Sequence, residues 1–263
     1  MNRLVITMGD PCGVGPEIIV KFFDGIYKVE DKRLFLVVVG SKSVLEYYKK
    51  KLRIDLEIVE ITKAHIVDGK LENGKLHLIN IDTDIDKLEF GKHTELGGAL
   101  SIKYLDKAIE LCHGKYVDGI VTCPISKDSI NMAGFKYSGH TEYLAEKSKT
   151  EDFAMVLKGK KVVVLLNSTH VSLKEAINRV TKESVLNKIR LAQKAKKELG
   201  LTGSIAVAGL NPHNGENGLF GTEEIEIIAP AVEEAQKEGI DCEGPIVPDS
   251  LFVKVVKGQY AIS

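Results

Sequence analysis

Apolar, β-branched runs alternate with amphipathic stretches along almost the whole chain. LVITM at 4–8, LFLVVVG at 34–40 and LEIVEI at 56–61 read as strands. Between them, PEIIVKFF carries Pro16 at a favoured first helical position, and SKSVLEYYKKKL opens on a serine suited to cap a helix. In AHIVDGKLENGKLHLINI, Asn73 and Gly74 stand between apolar runs and predict a hairpin turn. A long amphipathic helix is predicted over about 95–112, with Leu96, Leu100, Leu105, Ile109 and Leu111 near one face. YVDGIVT at 116–122, AMVLKG and KVVVLLN add strands. Helical patterns in SLKEAINRV and TKESVLNKIRLAQKAKKELG then precede a strand ending at Leu210, and TEEIEIIAPAVEEAQKEG follows it. This alternation predicts an α/β fold with a mainly parallel sheet and helices on both faces. A lobe change near 123–130 divides the chain into a first α/β lobe over 1–127 and a second over 128–263.

The chain's 263 residues suffice for one large core or two modest ones. Lys and Arg total 36 against 37 Asp and Glu, so the net charge of −1 provides no global attraction to nucleic acid or an anionic membrane. Any anion site must be local. The four cysteines, Cys12, Cys112, Cys123 and Cys242, form no CxxC pair and read as reduced thiols of a cytoplasmic protein. MNRLVITMGD holds too short an apolar run for a signal peptide, and no stretch approaches the roughly 20 apolar residues of a membrane span. A soluble, intracellular protein is expected.

Two histidines follow directly on apolar strands: KVVVLLNSTH ends at His170 and SIAVAGLNPH at His213. In open parallel sheets, ligands bind beyond the carboxyl ends of the strands. Imidazole is the commonest nitrogen ligand for zinc, cobalt and nickel, so the pair suggests a shared divalent-metal site. Such sites usually take three protein ligands, and the chain reaches Ser263 without an obvious third.

Three other segments bear on the chemistry. Gly9 to Glu17 is a glycine-rich turn that has Ile18 where the dinucleotide fingerprint needs a third glycine. With no Lys-Ser/Thr pair, and with Glu17 repelling anions, a tight turn is favoured over a phosphate cradle. Gly139-His140-Thr141-Glu142 precedes a helix; Thr141 could cap it, or His140 and Thr141 could donate to a phosphate there. TCPISK offers Lys127 and hydroxyls after a strand, although a solvated lysine explains it as well. His65, His77, His93 and His113 read as surface residues.

In order, ITMGDPCGVGPE at 6–17, TCPISK at 122–127, GHTE at 139–142, STH at 168–170, AGLNPHNGENGLFGTEE at 208–224 and GPIVPDSLF at 244–252 resemble the 4-hydroxythreonine-4-phosphate dehydrogenase family of pyridoxal phosphate biosynthesis. The likeness spans essentially the whole chain. It implies an isocitrate-dehydrogenase-like two-lobed α/β/α fold and a homodimer whose site is shared between subunits. It also implies NAD or NADP as oxidant, and a divalent metal (zinc, magnesium or cobalt) held by His170 and His213. His140 and Thr141 become binding residues for a small phosphorylated substrate. The implied reaction oxidises the C3 hydroxyl of 4-phosphooxy-L-threonine, and decarboxylation then yields 3-amino-2-oxopropyl phosphate. The family pattern continues past VVKGQY with a third metal histidine and a dinucleotide loop, which this chain lacks. A shortened, inactive remnant is therefore a second expectation. A dehydrogenase of 4-phospho-threonate or 4-phospho-erythronate is a third, because the shared motifs do not read the amino group.

Overall fold

Residues 2–25, 34–69, 74–137 and 139–263 are described by a computed structural model, in which 2–149 and 150–263 form separate compact units. The first contains Asn2–Thr7 (β1), Gly15–Gly25 (α1), Leu34–Gly40 (β2), Lys42–Leu52 (α2), Ile58–Glu60 (β3) and Lys63–Asp68 (α3). Leu76–Asn80 (β4), Glu95–His113 (α4), Gly119–Thr122 (β5), Lys127–Met132 (α5) and His140–Lys147 (α6) complete it. Its five strands run parallel in the order β3-β4-β2-β1-β5. In β2, Val37, Val38 and Val39 are completely buried, because a central parallel strand is covered on both faces.

α4 buries two faces, where the sequence suggested one. Leu100, Tyr104, Ala108 and Leu111 join the sheet core, while Ile102, Leu105 and Ile109 pack with Ile130 of α5 and Tyr143 of α6. That second layer keeps 128–149 in the first unit, so the division falls after Lys149 and not at 127/128.

Local chemistry departs from the sequence expectation at three other points. Asn73 lies outside the described residues. On either side of it stand the helix α3 and the strand β4, which pairs parallel with β2 and β3, so these elements make no hairpin. Thr62 and His65 form the capping box that starts α3. Ser41 stands at the N-cap of α2 but bonds Ser43 Oγ at 2.9 Å; Asn80 Oδ1 accepts the Lys42 N–H instead, also at 2.9 Å. His77, on β4, is buried and not at the surface.

The second unit comprises Val156–Lys158 (β6), Val163–Leu165 (β7), Leu173–Asn178 (α7), Lys182–Glu198 (α8) and Ser204–Ala208 (β8). Ala229–Lys237 (α9), Cys242–Ile246 (β9), Pro248–Val256 (α10) and Tyr260–Ile262 (β10) follow. β10, β8 and β9 form a parallel sheet in that order, while β6 and β7 pair antiparallel. Ser263 joins the two: its N–H donates to Val163 O at 3.0 Å, and its carbonyl accepts from Leu165 N at 2.8 Å. The pattern is that of a parallel pair, so β7 runs in the same direction as β10 and β8. Successive residues of β8 serve opposite faces. Ile205 packs with the apolar sides of α8 and α9, and Ala206 packs with Leu251 and Val255 of α10.

Candidate active site

In the first unit, a turn packed against the 122–129 segment brings together several residues singled out in the sequence. Gly9 has φ 71°, and a Cβ there would lie 2.2 Å from Pro124 O, so no other residue fits. Asp10, 4% exposed, accepts from Cys12 N–H at 2.9 Å on Oδ1 and from the Ser129 hydroxyl at 3.1 Å on Oδ2. Ser129 Oγ in turn accepts from Thr94 N at 3.2 Å. Backbone and side chain thus fill the turn, which leaves a tight junction and not an open cradle. Lys127 is exposed at the start of α5.

His140 opens α6, whose N-cap is Gly139, so Thr141 stands within the first turn and does not cap it. The imidazole is largely buried, and burial holds its pKa below the usual histidine range. Its Nε2 is buried without a partner, as is Glu142 Oε2. Unmet buried polar atoms cost free energy, and a ligand supplying a hydrogen bond would recover it.

In the second unit, His170 follows β7 and His213 follows β8. Only β10 lies between those strands, and spacings of roughly 4.8 Å per strand put them roughly 10 Å apart. Both histidines are exposed and both have left-handed backbone, with φ of 55° and 52°. His213 Nδ1 lies 3.4 Å from Asp249 Oδ2, at the start of α10. A carboxylate on Nδ1 leaves Nε2 free to bind a metal, the usual arrangement around metal-binding histidines. No cluster of three or more His, Cys, Asp or Glu suited to a metal occurs among the described residues.

Glu224, 3% exposed, accepts from Leu210 N and Asn211 N at 2.7 and 2.6 Å. Burial alone would raise its pKa, but bonds from Asn211 and the Leu210 backbone hold it below the usual carboxylate range. In sequence, Asp249 lies within GPIVPDSLF and Glu224 within AGLNPHNGENGLFGTEE, where nothing local signals a role for either. Their neighbourhood to His213 depends on the fold, through α10 and a π-helical turn over Glu224–Ile228. A cleft of about 260 Å³ at the ends of β7 and β8 is lined in part by Asn167, Lys188, Gly209 and Phe252; neither histidine forms its wall.

A family model described as pyridoxal phosphate biosynthetic protein PdxA matches residues 32–263. A Fusobacterium nucleatum protein carrying the name of a D-threonate 4-phosphate dehydrogenase is 43% identical over 260 residues, covering 98% of this chain and 77% of its own. A Sulfurihydrogenibium protein named 4-hydroxythreonine-4-phosphate dehydrogenase is 41% identical, covering 96% of this chain and 76% of its own. The crystal structure of 4-hydroxythreonine-4-phosphate dehydrogenase from Klebsiella pneumoniae matches with a TM-score of 0.89 at 33% identity, covering 99% of this chain and 78% of that one. The chain belongs to the PdxA family of oxidoreductases. The expected α/β fold with a mainly parallel sheet is borne out. Among the described residues no helix is long and apolar enough to cross a membrane.

Proposed function

We propose that this protein is a divalent-metal- and NAD(P)-dependent dehydrogenase that oxidises the C3 hydroxyl of 4-phosphooxy-L-threonine, with decarboxylation to 3-amino-2-oxopropyl phosphate. The observation that carries the reading is the placement of His170 and His213 past the carboxyl ends of two strands running in one direction, one strand apart in the same sheet. The donor set suits zinc or cobalt, and magnesium with added water ligands. His170 and the Nε2 of His213 would hold the cation. When bound, the metal and the nicotinamide supply charge stabilisation at the alcohol oxygen and a hydride acceptor.

The chain's own residues do the rest. Asp249, 3.4 Å from His213 Nδ1, stands on the side of the ring away from Nε2, where it would orient the imidazole. His140, kept neutral by burial, presents Nε2 to the substrate, and Thr141 presents its hydroxyl from the same helical turn. We further propose a cytoplasmic homodimer with the site shared between subunits; the four free thiols suit that reducing compartment.

A second substrate reading is favoured by the name of the 43% identical relative: D-threonate 4-phosphate, with a hydroxyl where the first substrate has an amine. NADH absorbance with each compound, in the presence of zinc, magnesium or cobalt, tests both. Metal-dependent turnover of the amine over its hydroxyl analogue supports the first reading, and the reverse preference supports the second. Binding of neither compound, measured calorimetrically, contradicts both.

A further inference from the structure

His213 leaves the sheet on a strained backbone. His213, Asn214, Gly215, Glu216 and Asn217 all have left-handed φ, between 44° and 70°. A residue with a Cβ is strained there, so a run of them persists only where its surroundings over-determine it. The determining contacts converge on one carboxylate. Glu224 Oε1 takes both the Leu210 and the Asn211 backbone N–H, while Oε2 takes the Asn211 side-chain amide at 2.9 Å. The same group lies against both ends of the turn: a Cβ built on Gly209 would sit 3.2 Å from Oε1, and one on Gly215 would sit 3.2 Å from Oε2. Gly209 is further required because its Cβ would fall 2.1 Å from Asn214 Oδ1. On the turn's other side, Asn214 Nδ2 donates to Pro245 O at 2.8 Å. Glu224 itself begins a π-helical turn, a departure frequent at functional sites.

We propose that Glu224 is the positioning residue of His213. Its buried carboxylate fixes the take-off of the left-handed turn at Leu210 and Asn211, so the imidazole is aimed before any cation arrives. Pre-organised ligands lose little freedom on binding, and affinity gains accordingly. This rests on the reading of His213 as a metal ligand, but the geometry of the turn can be tested separately. Glutamine in place of Glu224 keeps one oxygen for the Leu210 and Asn211 N–H groups but without the charge that strengthens both bonds, and it turns an amide N–H toward Asn211 Nδ2, which then keeps only Glu223 Oε2 at 2.7 Å. Aspartate keeps the charge on a shorter reach.

The experiment measures zinc affinity and amide hydrogen exchange at Leu210 and Asn211 in the wild type, Glu224→Gln, Glu224→Asp and His213→Ala. Glu224→Gln is expected to exchange those two amides at least roughly 10-fold faster and to weaken zinc roughly 10- to 100-fold, the usual cost of losing a partner behind a metal ligand. Glu224→Asp is expected to recover part of both effects and guards against simple misfolding of the glutamine variant. Unchanged exchange at 210 and 211 overturns the proposal, as does wild-type zinc affinity in Glu224→Gln when His213→Ala has lost it. Undiminished zinc binding in His213→Ala overturns the metal reading instead, and the exchange arm alone then decides whether Glu224 sets the turn.

Discussion

Replacing Asp10 with alanine removes the acceptor that ties the 9–15 turn to the start of α5. Two donors lose their partner: the Cys12 N–H, in a residue 2% exposed, and the hydroxyl of Ser129, which is fully buried. Each stranded buried donor costs about 1–3 kcal/mol. Removal of the buried carboxylate returns part of that sum, which leaves a net loss of about 3 kcal/mol. At about 2–4 °C per kcal/mol for a chain of this size, the melting point should fall by roughly 6–12 °C. Asp10→Asn keeps an oxygen for Cys12 and presents Nδ2 to Ser129 Oγ, so its cost should stay at about 1 kcal/mol. Tyrosine fluorescence isolates the right unit: the chain has no tryptophan, and seven of its eight tyrosines precede Thr150. An alanine variant melting with the wild type, or an asparagine variant less stable than alanine, would mean that the Asp10 bonds do not hold the turn.

Other outcomes follow from the same structure. Burial lowers the His140 pKa, so the fold favours the neutral ring; its contribution to stability is whole above about pH 6.5 and is lost as pH falls below that. His140→Asn should therefore flatten the tyrosine-detected stability profile between about pH 5 and 7, and an unaltered profile counts against a buried neutral ring. Leu251, with no exposed surface, joins α10 to β8; Leu251→Ala should cost about 2–5 kcal/mol in urea unfolding followed by circular dichroism. Arg190 pairs with Glu238 on the surface, where half-exposed partners are solvated, so Arg190→Ala should change stability by less than about 1 kcal/mol. A larger loss would mean the pair is shielded from water.

The parallel sheets were legible because central strands are buried on both faces and show it as unbroken runs such as LFLVVVG. The order of elements and the family motifs were legible for the same reason: each is a contiguous signal. What depended on distant partners was not. Asn73-Gly74 carries a hairpin signature, but β4 pairs with β2 and β3, both already placed by earlier segments. α4 looked one-sided because nothing local announces that α5 and α6 cover its second face. Glu224 sits in TEEIEI, a stretch that reads as an acidic helix surface; only the return of the chain past β8 puts its carboxylate under Leu210 and Asn211. His170 and His213 stood out because strand ends are visible in sequence, while Asp249 beside His213 required α10 to be in place.

His170 and His213 are proposed to hold one cation between them. Titration of the protein with cobalt(II), followed through the ring proton resonances of its seven histidines, tests it directly. One equivalent is expected to shift and broaden the His170 and His213 signals together, and either His170→Ala or His213→Ala to abolish the effect on the remaining partner at that stoichiometry. Independent titration of the two signals, or broadening of His65, His93 or His113 in their place, would contradict it.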